Sequence, residues 1–225
     1  MKKFYWYLVG GAVFFVLGAA TFFLWKSGFL PRRKADGAVT EALVQVLAET
    51  RSGSGVIYRY DAHTLTVITA GHVLEEAKEP VWVSFCDGWA VECSDYQRME
   101  DADLAFIKVP MDEIPEERLE EYCSAPQDKE SFDRLQIGDK VKVMGFSSEA
   151  GDKVYEGVLE ETWIWVEDFS QYMMLVKAPA EAGMSGGGVF DQEGRLAGIL
   201  CGGNEEGLLA VLPLSIIEAE YAGIS

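Results

Sequence analysis

Residues 183–190 read GMSGGGVF: Ser185 sits among four glycines, and the apolar pair Val189 and Phe190 follows at once. A glycine-rich turn can aim backbone N–H groups at a single point, where an oxygen gaining negative charge would be held. Gly183 and Ser185 are the candidate donors, and the apolar pair would anchor the turn against a core. At average glycine usage a G-x-S-G-G pattern arises by chance in a chain of this length only about once in two hundred. The stretch therefore directs the search upstream.

Two segments answer it, TAGHV at 69–73 and DADLAFIKV at 101–109. A serine hydroxyl is a weak nucleophile, so acyl transfer needs an imidazole to take its proton and a carboxylate to fix the imidazole tautomer and stabilise its cation. His72 supplies the ring. Asp101 and Asp103 both offer the acid, since residues two apart share one face of a strand. The second histidine, His63 in YDAHT, has no partner motif and reads as a solvated turn residue.

Outward from these segments, the chain beyond about residue 40 is a series of short alternating or apolar runs broken by Gly, Asp and Asn, the signature of many β-strands. LVQVLAE, GVIYRY, TLTVIT, VWVSF, AVEC and LAFIKV form a first group; KVKVMGF, VYEGVLEE, TWIWVE, YMMLVKA, GGVFD, RLAGIL and LLAVLPL form a second. Between them EIPEERLEEYC reads as a turn or two of helix and SAPQDKESFDR as a polar linker. The closing IIEAEYA suits a short helix. Asp87-Gly88 marks a hairpin turn, here expected to have two residues. Two β-rich halves of similar size imply two packed barrels, in which closure removes exposed strand edges.

The amino-terminal region is different. Residues 4–25 are uncharged and mostly apolar, long enough at about 1.5 Å per residue to span a hydrocarbon core, with Tyr5, Trp6, Tyr7 and Trp25 where interfacial aromatics are favoured. A transmembrane anchor is expected. A cleaved signal peptide at Gly18-Ala19-Ala20 competes, but the apolar run continues past that point. Lys2 and Lys3 face Lys26, Arg32, Arg33 and Lys34 across the run, so charge alone does not orient it. The expected division is a tail at 1–3, the anchor at 4–25, a juxtamembrane tether at 26–40 and a folded part at 41–225, comprising a first barrel at 41–112, a linker at 113–130 and a second barrel with its helix at 131–225. From residue 35 onward, 13 cations stand against 37 acids, a net charge of −24. Such a field repels phosphate backbones, so nucleic acid is not an expected partner.

From about Glu41 to Pro213 the sequence resembles a trypsin-like serine protease of the chymotrypsin clan, and within it the HtrA (Deg) protease domain. RSGSGVIY, TLTVITAGHV, VWVSFCDGWAVE, DADLAFIKV, LQIGDKVKVMGF, GMSGGGVFD, GRLAGIL and LAVLPL carry the likeness, and His, Asp and Ser follow in the chymotrypsin order. The resemblance implies an all-β fold of two six-stranded Greek-key barrels, here preceded by one transmembrane helix, with a cleft between the barrels. Its motif places the acid directly before Leu-Ala, which selects Asp103. His72 is then the general base and Ser185 the nucleophile, with Gly183 and Ser185 forming the oxyanion hole. Pro179 takes the position near the base of the primary pocket, and Cys201, Gly202 and Gly203 the strand that pairs with substrate backbone. None of these four is acidic, which favours a small or medium apolar residue over Lys or Arg.

Two departures bear on regulation. Met184 stands where trypsin has the aspartate that pairs with a newly cut amino terminus, so activation by that salt bridge is not expected. The 40 residues after Ser185 are needed for closing strands and a helix, so the PDZ domain usual in HtrA proteins is expected to be missing. The four cysteines, Cys86, Cys93, Cys123 and Cys201, lack metal-ligand spacing, and neither metal nor cofactor is expected. With a two-residue turn Cys86 faces Trp89 and Cys93 faces Trp82, about 13 Å apart, too far for a disulfide. The leading expectation is a membrane-anchored serine endopeptidase, facing away from the cytoplasm and cleaving polypeptides. The alternative is a non-catalytic protease-like module that holds a peptide or partner. Nothing in the sequence sets the oligomeric state.

Overall fold

The computed structural model describes residues 39–224, apart from Glu79 and Ala150. The expected anchor at 4–25 and most of the tether lie outside these residues. Among the described residues no helix is long and apolar enough to cross a membrane.

The chain folds as two β-barrels. The first half contributes β1 (Leu43–Leu47), β2 (Ser52–Tyr60), β3 (Thr64–Thr69), β4 (Val81–Ser84), β5 (Ala90–Cys93), β6 (Tyr96–Arg98) and β7 (Ala105–Pro110), in the spatial order β5-β4-β1-β2-β3-β7-β6. Seven strands stand where six were expected, because one run bends. Its first part, β5, pairs with β4 and its second part, β6, pairs with β7. The bend at Ser94 and Asp95 thus joins the two edges of the sheet through the chain itself, and Lys108 N–H donates to the Asp95 carbonyl at 2.8 Å.

The second half is a closed six-stranded barrel, ordered β10-β13-β12-β11-β8-β9. Its strands are β8 (Lys140–Ser147), β9 (Gly151–Val166), β10 (Gln171–Lys177), β11 (Gly188–Phe190), β12 (Leu196–Gly203) and β13 (Leu208–Pro213). The runs VYEGVLEE and TWIWVE, which look like two strands, form the single strand β9. Its first part pairs with β8 and its second with β10, where the register slips twice. Such irregularities let one strand turn a barrel corner.

Side-chain alternation explains why the runs are so evenly apolar. Val44, Val46, Ile57, Val67, Ala105 and Ile107 fill the first barrel, and Val141, Val143, Leu200, Leu209 and Val211 the second. Their neighbours Leu43, Val56, Tyr58, Ile68, Phe106, Met144, Phe146, Ile199 and Leu212 point the other way, into a third core. A strand buried on both faces reads as continuous apolar sequence. Each fully buried side chain of this size contributes about 1.5–3 kcal/mol relative to exposure, so the shared core resists separation of the halves. The helix Leu214–Ile224 closes this core: Ile217 is buried, and Tyr221 packs edge-on against Tyr58 at 5.3 Å between ring centroids.

The hairpin at Asp87-Gly88 forms, but with a three-residue loop. Phe85 N–H donates to Trp89 O at 2.8 Å, and Gly88 closes the loop at φ +94°. Asp87 accepts the Trp89 N–H at 2.9 Å, and its carboxylate also takes a bond from Tyr122. The extra residue shifts the register by one, so Cys93 faces Val81 and Trp82 faces Glu92. All four cysteines are free thiols. Burial pushes the Cys93 thiol up to about 12 and the Cys201 thiol well above its ordinary value. The thiolate is the reactive form. Cys93 and Cys201 are therefore expected to escape iodoacetamide in native protein at pH 8 and to react fully after unfolding, as read by mass spectrometry; native labelling at the unfolded rate would contradict their placement.

Candidate active site

His72 lies in the short turn Gly71–Leu74 that ends β3. Asp103 precedes β7, the strand paired with β3, so the two meet across the sheet. One carboxylate holds the histidine at two points: Oδ1 accepts the His72 backbone N–H at 2.8 Å and Oδ2 stands 2.9 Å from the ring Nδ1. An ionised carboxylate only accepts, so Nδ1 carries the proton and Nε2 is left to accept one. The pair is mostly buried, with side chains 24% and 14% exposed. Gly71 permits this approach, because a Cβ there would stand 2.9 Å from Leu104 N and 3.2 Å from Asp103 Oδ1.

Asp101, the competing acid, is exposed, and its carbonyl accepts from Gln171 Nε2 at 3.3 Å. His63 stands at the other end of β3, in a turn where Asp61 accepts its N–H at 2.7 Å. A shallow cavity of about 430 Å³ lies there, lined by His63, Asp95, Lys108 and Asp112 among others. It holds no serine or cysteine and is separated from His72 by the length of the strand.

The Ser185 loop packs on the His72 strand end. Gly186 has φ +84°, and a Cβ there would fall 2.2 Å from Ser54 O, 2.4 Å from Thr69 Oγ1 and 2.9 Å from Ala70 N, two residues before His72. Only glycine fits. Gly186→Ala combines strained backbone with backbone overlap and is expected to cost about 3 kcal/mol of stability. Urea denaturation checks this, and an unchanged midpoint would contradict the close approach.

The four carbonyls of 182–185 are all engaged away from one another's amides. Ala182 O accepts from Ser148 N at 2.9 Å, Gly183 O from Ser54 Oγ at 2.8 Å, Met184 O from Gly187 N at 2.9 Å and Ser185 O from Ser54 N at 2.7 Å. Among the described residues, the N–H groups of Gly183 and Ser185 donate to none of these or any other acceptor. No hydrogen bond joins the Ser185 hydroxyl to the His72 ring among the described residues.

The expected specificity residues differ in exposure. Pro179 is exposed at the end of β10. Cys201 is buried, with Sγ 3.6 Å from Asp103 O, and so packs behind the acid. Gly202 and Gly203 are partly exposed on β12, and the Phe169 ring lies over Gly202, where a Cβ would meet its Cζ at 3.1 Å.

Three further residues emerge only from the structure. Arg51 donates to His72 O at 2.9 Å and pairs with Glu75 at 3.1 Å, bracing the histidine turn from behind. Glu181 is an acid in the segment that leads to Gly183. Hydrogen bonds from Ser147 and from Tyr155 hold its carboxyl below the usual range, with Lys153 3.4 Å away. Its charge is thereby already compensated. Ser54 contacts the nucleophile loop at two points. Their common signal is a polar residue in an apolar or glycine-rich stretch, but the partner is remote in every case.

Residues 53–199 match the family model described as the trypsin-like peptidase domain, and the chain belongs to that family of serine proteases. Among curated proteins it is similar to the "Serine protease HtrA-like" proteins of Staphylococcus aureus strains USA300 and NCTC 8325 / PS 47, at 24% identity over 186 residues and 78% of this chain. The chain spans about a fifth of their length, the match covering 22% of each. Among solved structures it resembles the Rv3671c protease described as an inactive form, with TM-score 0.67 and 18% identity over 87% of this chain and 100% of that one. A serine-to-alanine mutant of Rv3671c from M. tuberculosis H37Rv gives TM-score 0.65 and 17% identity over 87% and 96% of the two chains. At these identities the structural likeness is one of fold.

Proposed function

We propose that this chain is a membrane-anchored serine endopeptidase in which His72, Asp103 and Ser185 act as general base, orienting carboxylate and nucleophile. The two-point hold of Asp103 on His72 carries the reading, because it presents Nε2 as a proton acceptor at the strand end on which the Ser185 loop packs. In the reaction, Nε2 takes the Ser185 proton as Oγ bonds to the scissile carbonyl carbon. The carbonyl oxygen gains charge and is received by the Gly183 and Ser185 N–H groups. His72 then gives its proton to the leaving amine as the C–N bond breaks, and water repeats the sequence to release the acyl group. Substrate adds as an extended strand along Gly202 and Gly203, with its specificity side chain toward Pro179.

The anchor at residues 4–25 would hold this domain at the cell membrane, on the side away from the cytoplasm. Hydrolysis of denatured casein tests the enzymatic reading. Labelling of intact cells by a membrane-impermeant fluorophosphonate tests the topology. Casein binding without turnover at any pH would favour the alternative, a peptide-holding module.

A further inference from the structure

We infer that Ser54 is a positioning residue that holds the oxyanion-binding amides in register, an inference that rests on the proposed hydrolase reading. Ser54 belongs to β2 of the first barrel and is fully buried. Its hydroxyl donates to Gly183 O at 2.8 Å and accepts from Phe146 N at 2.8 Å, partners 129 and 92 residues away in the chain. Its backbone N–H donates to Ser185 O at 2.7 Å, and its own carbonyl accepts from Thr69 Oγ1 at 2.7 Å. One residue therefore ties the histidine strand, the second barrel and both ends of the tripeptide 183–185.

The chemistry of the tripeptide makes this hold consequential. Gly183 sits at φ +95°, and a glycine has no side chain to limit rotation of its peptide planes. Its N–H is one of the two free donors, so its direction depends on what fixes the adjoining carbonyls. Ser148 N fixes the plane that carries this N–H, through Ala182 O at 2.9 Å; the Ser54 hydroxyl fixes the next plane, which links it to the one carrying the Ser185 N–H. Gly145 leaves room for that hydroxyl, since a Cβ there would fall 2.8 Å from Ser54 Oγ. Without the hydroxyl, Gly183 O and the buried Phe146 N–H both lose their partner, and the linking plane is free to turn toward another donor. The Gly183 and Ser185 N–H groups then no longer share the point at which the oxyanion forms.

The test separates transition-state from ground-state binding. Ser54→Ala is expected to lower kcat/KM on a peptide substrate by about 10- to 100-fold, the scale on which misplaced groups act. Affinity for a peptide boronic acid, whose tetrahedral adduct puts an oxygen between the two amides, should fall by the same factor. Affinity for the substrate peptide, measured in a Ser185→Ala background, should stay within about twofold. Val109→Ala, a cavity in the first barrel away from the cleft, serves as a stability control: at a temperature well below both melting points it should keep the wild-type kcat/KM. An unchanged rate in Ser54→Ala, or equal loss of boronate and substrate affinity, overturns the inference while leaving the hydrolase reading intact. A wild-type enzyme that never reacts with fluorophosphonate overturns both.

Discussion

Ser185→Ala should lower peptide hydrolysis by about 10⁶-fold, the scale seen when the nucleophile of such a triad is removed. The variant should also fold normally. The Ser185 hydroxyl makes no hydrogen bond among the described residues and the side chain is only half-buried, so its loss leaves no orphaned polar group. A stability change within about 0.5 kcal/mol follows for a substitution that removes no buried contact. Rate and stability are thus expected to separate cleanly in this variant, measured by peptide turnover and urea denaturation side by side. A residual rate above about one per cent of wild type would mean that another group attacks the carbonyl.

Asp103→Asn should cost about 10⁴-fold in kcat, through the tautomer of His72 rather than through the fold. The asparagine oxygen can keep the 2.8 Å bond from the His72 backbone N–H, so the turn stays in place. Its NH₂ group then replaces the oxygen that stands 2.9 Å from Nδ1. Two donors cannot face each other, and the imidazole moves its proton to Nε2, the atom required to accept the Ser185 proton. Steady-state kinetics, with NMR of the ring nitrogens, checks both halves of the expectation. A variant with near wild-type kcat, or one whose ring keeps its Nδ1 proton, would contradict the assigned role.

Much of this was legible in the chain. The short apolar runs and turn glycines mark the strands, because strand alternation and tight turns are local properties; two β-rich halves of similar size and the likeness to the protease motifs lead from them to two barrels. The departures came where a tertiary contact overrides a local count. The Asp87-Gly88 pair signals a hairpin but not whether its loop has two or three residues, and here Gly88 at φ +94° takes the third. The bend at Ser94 and Asp95 and the irregularities in β9 are barrel-closure features, set by distant partners rather than by their own residues. The site divides in the same way. Asp103 and its neighbour Asp101 are equivalent by periodicity; the likeness to the protease motif selects Asp103, and the fold puts its carboxylate at the ring. Arg51, Ser54 and Glu181 look like ordinary polar residues, since their roles rest on contacts with segments far along the chain.

Intact-mass and peptide-mapping spectrometry after incubation with a fluorophosphonate tests the central claim most directly. One adduct per chain is expected, on the peptide that contains Ser185, absent from Ser185→Ala and slow to form in Asp103→Asn. Folded protein that takes no adduct at any pH, or takes it on a serine outside the 183–185 turn, would contradict the assignment of this loop as the nucleophile's seat.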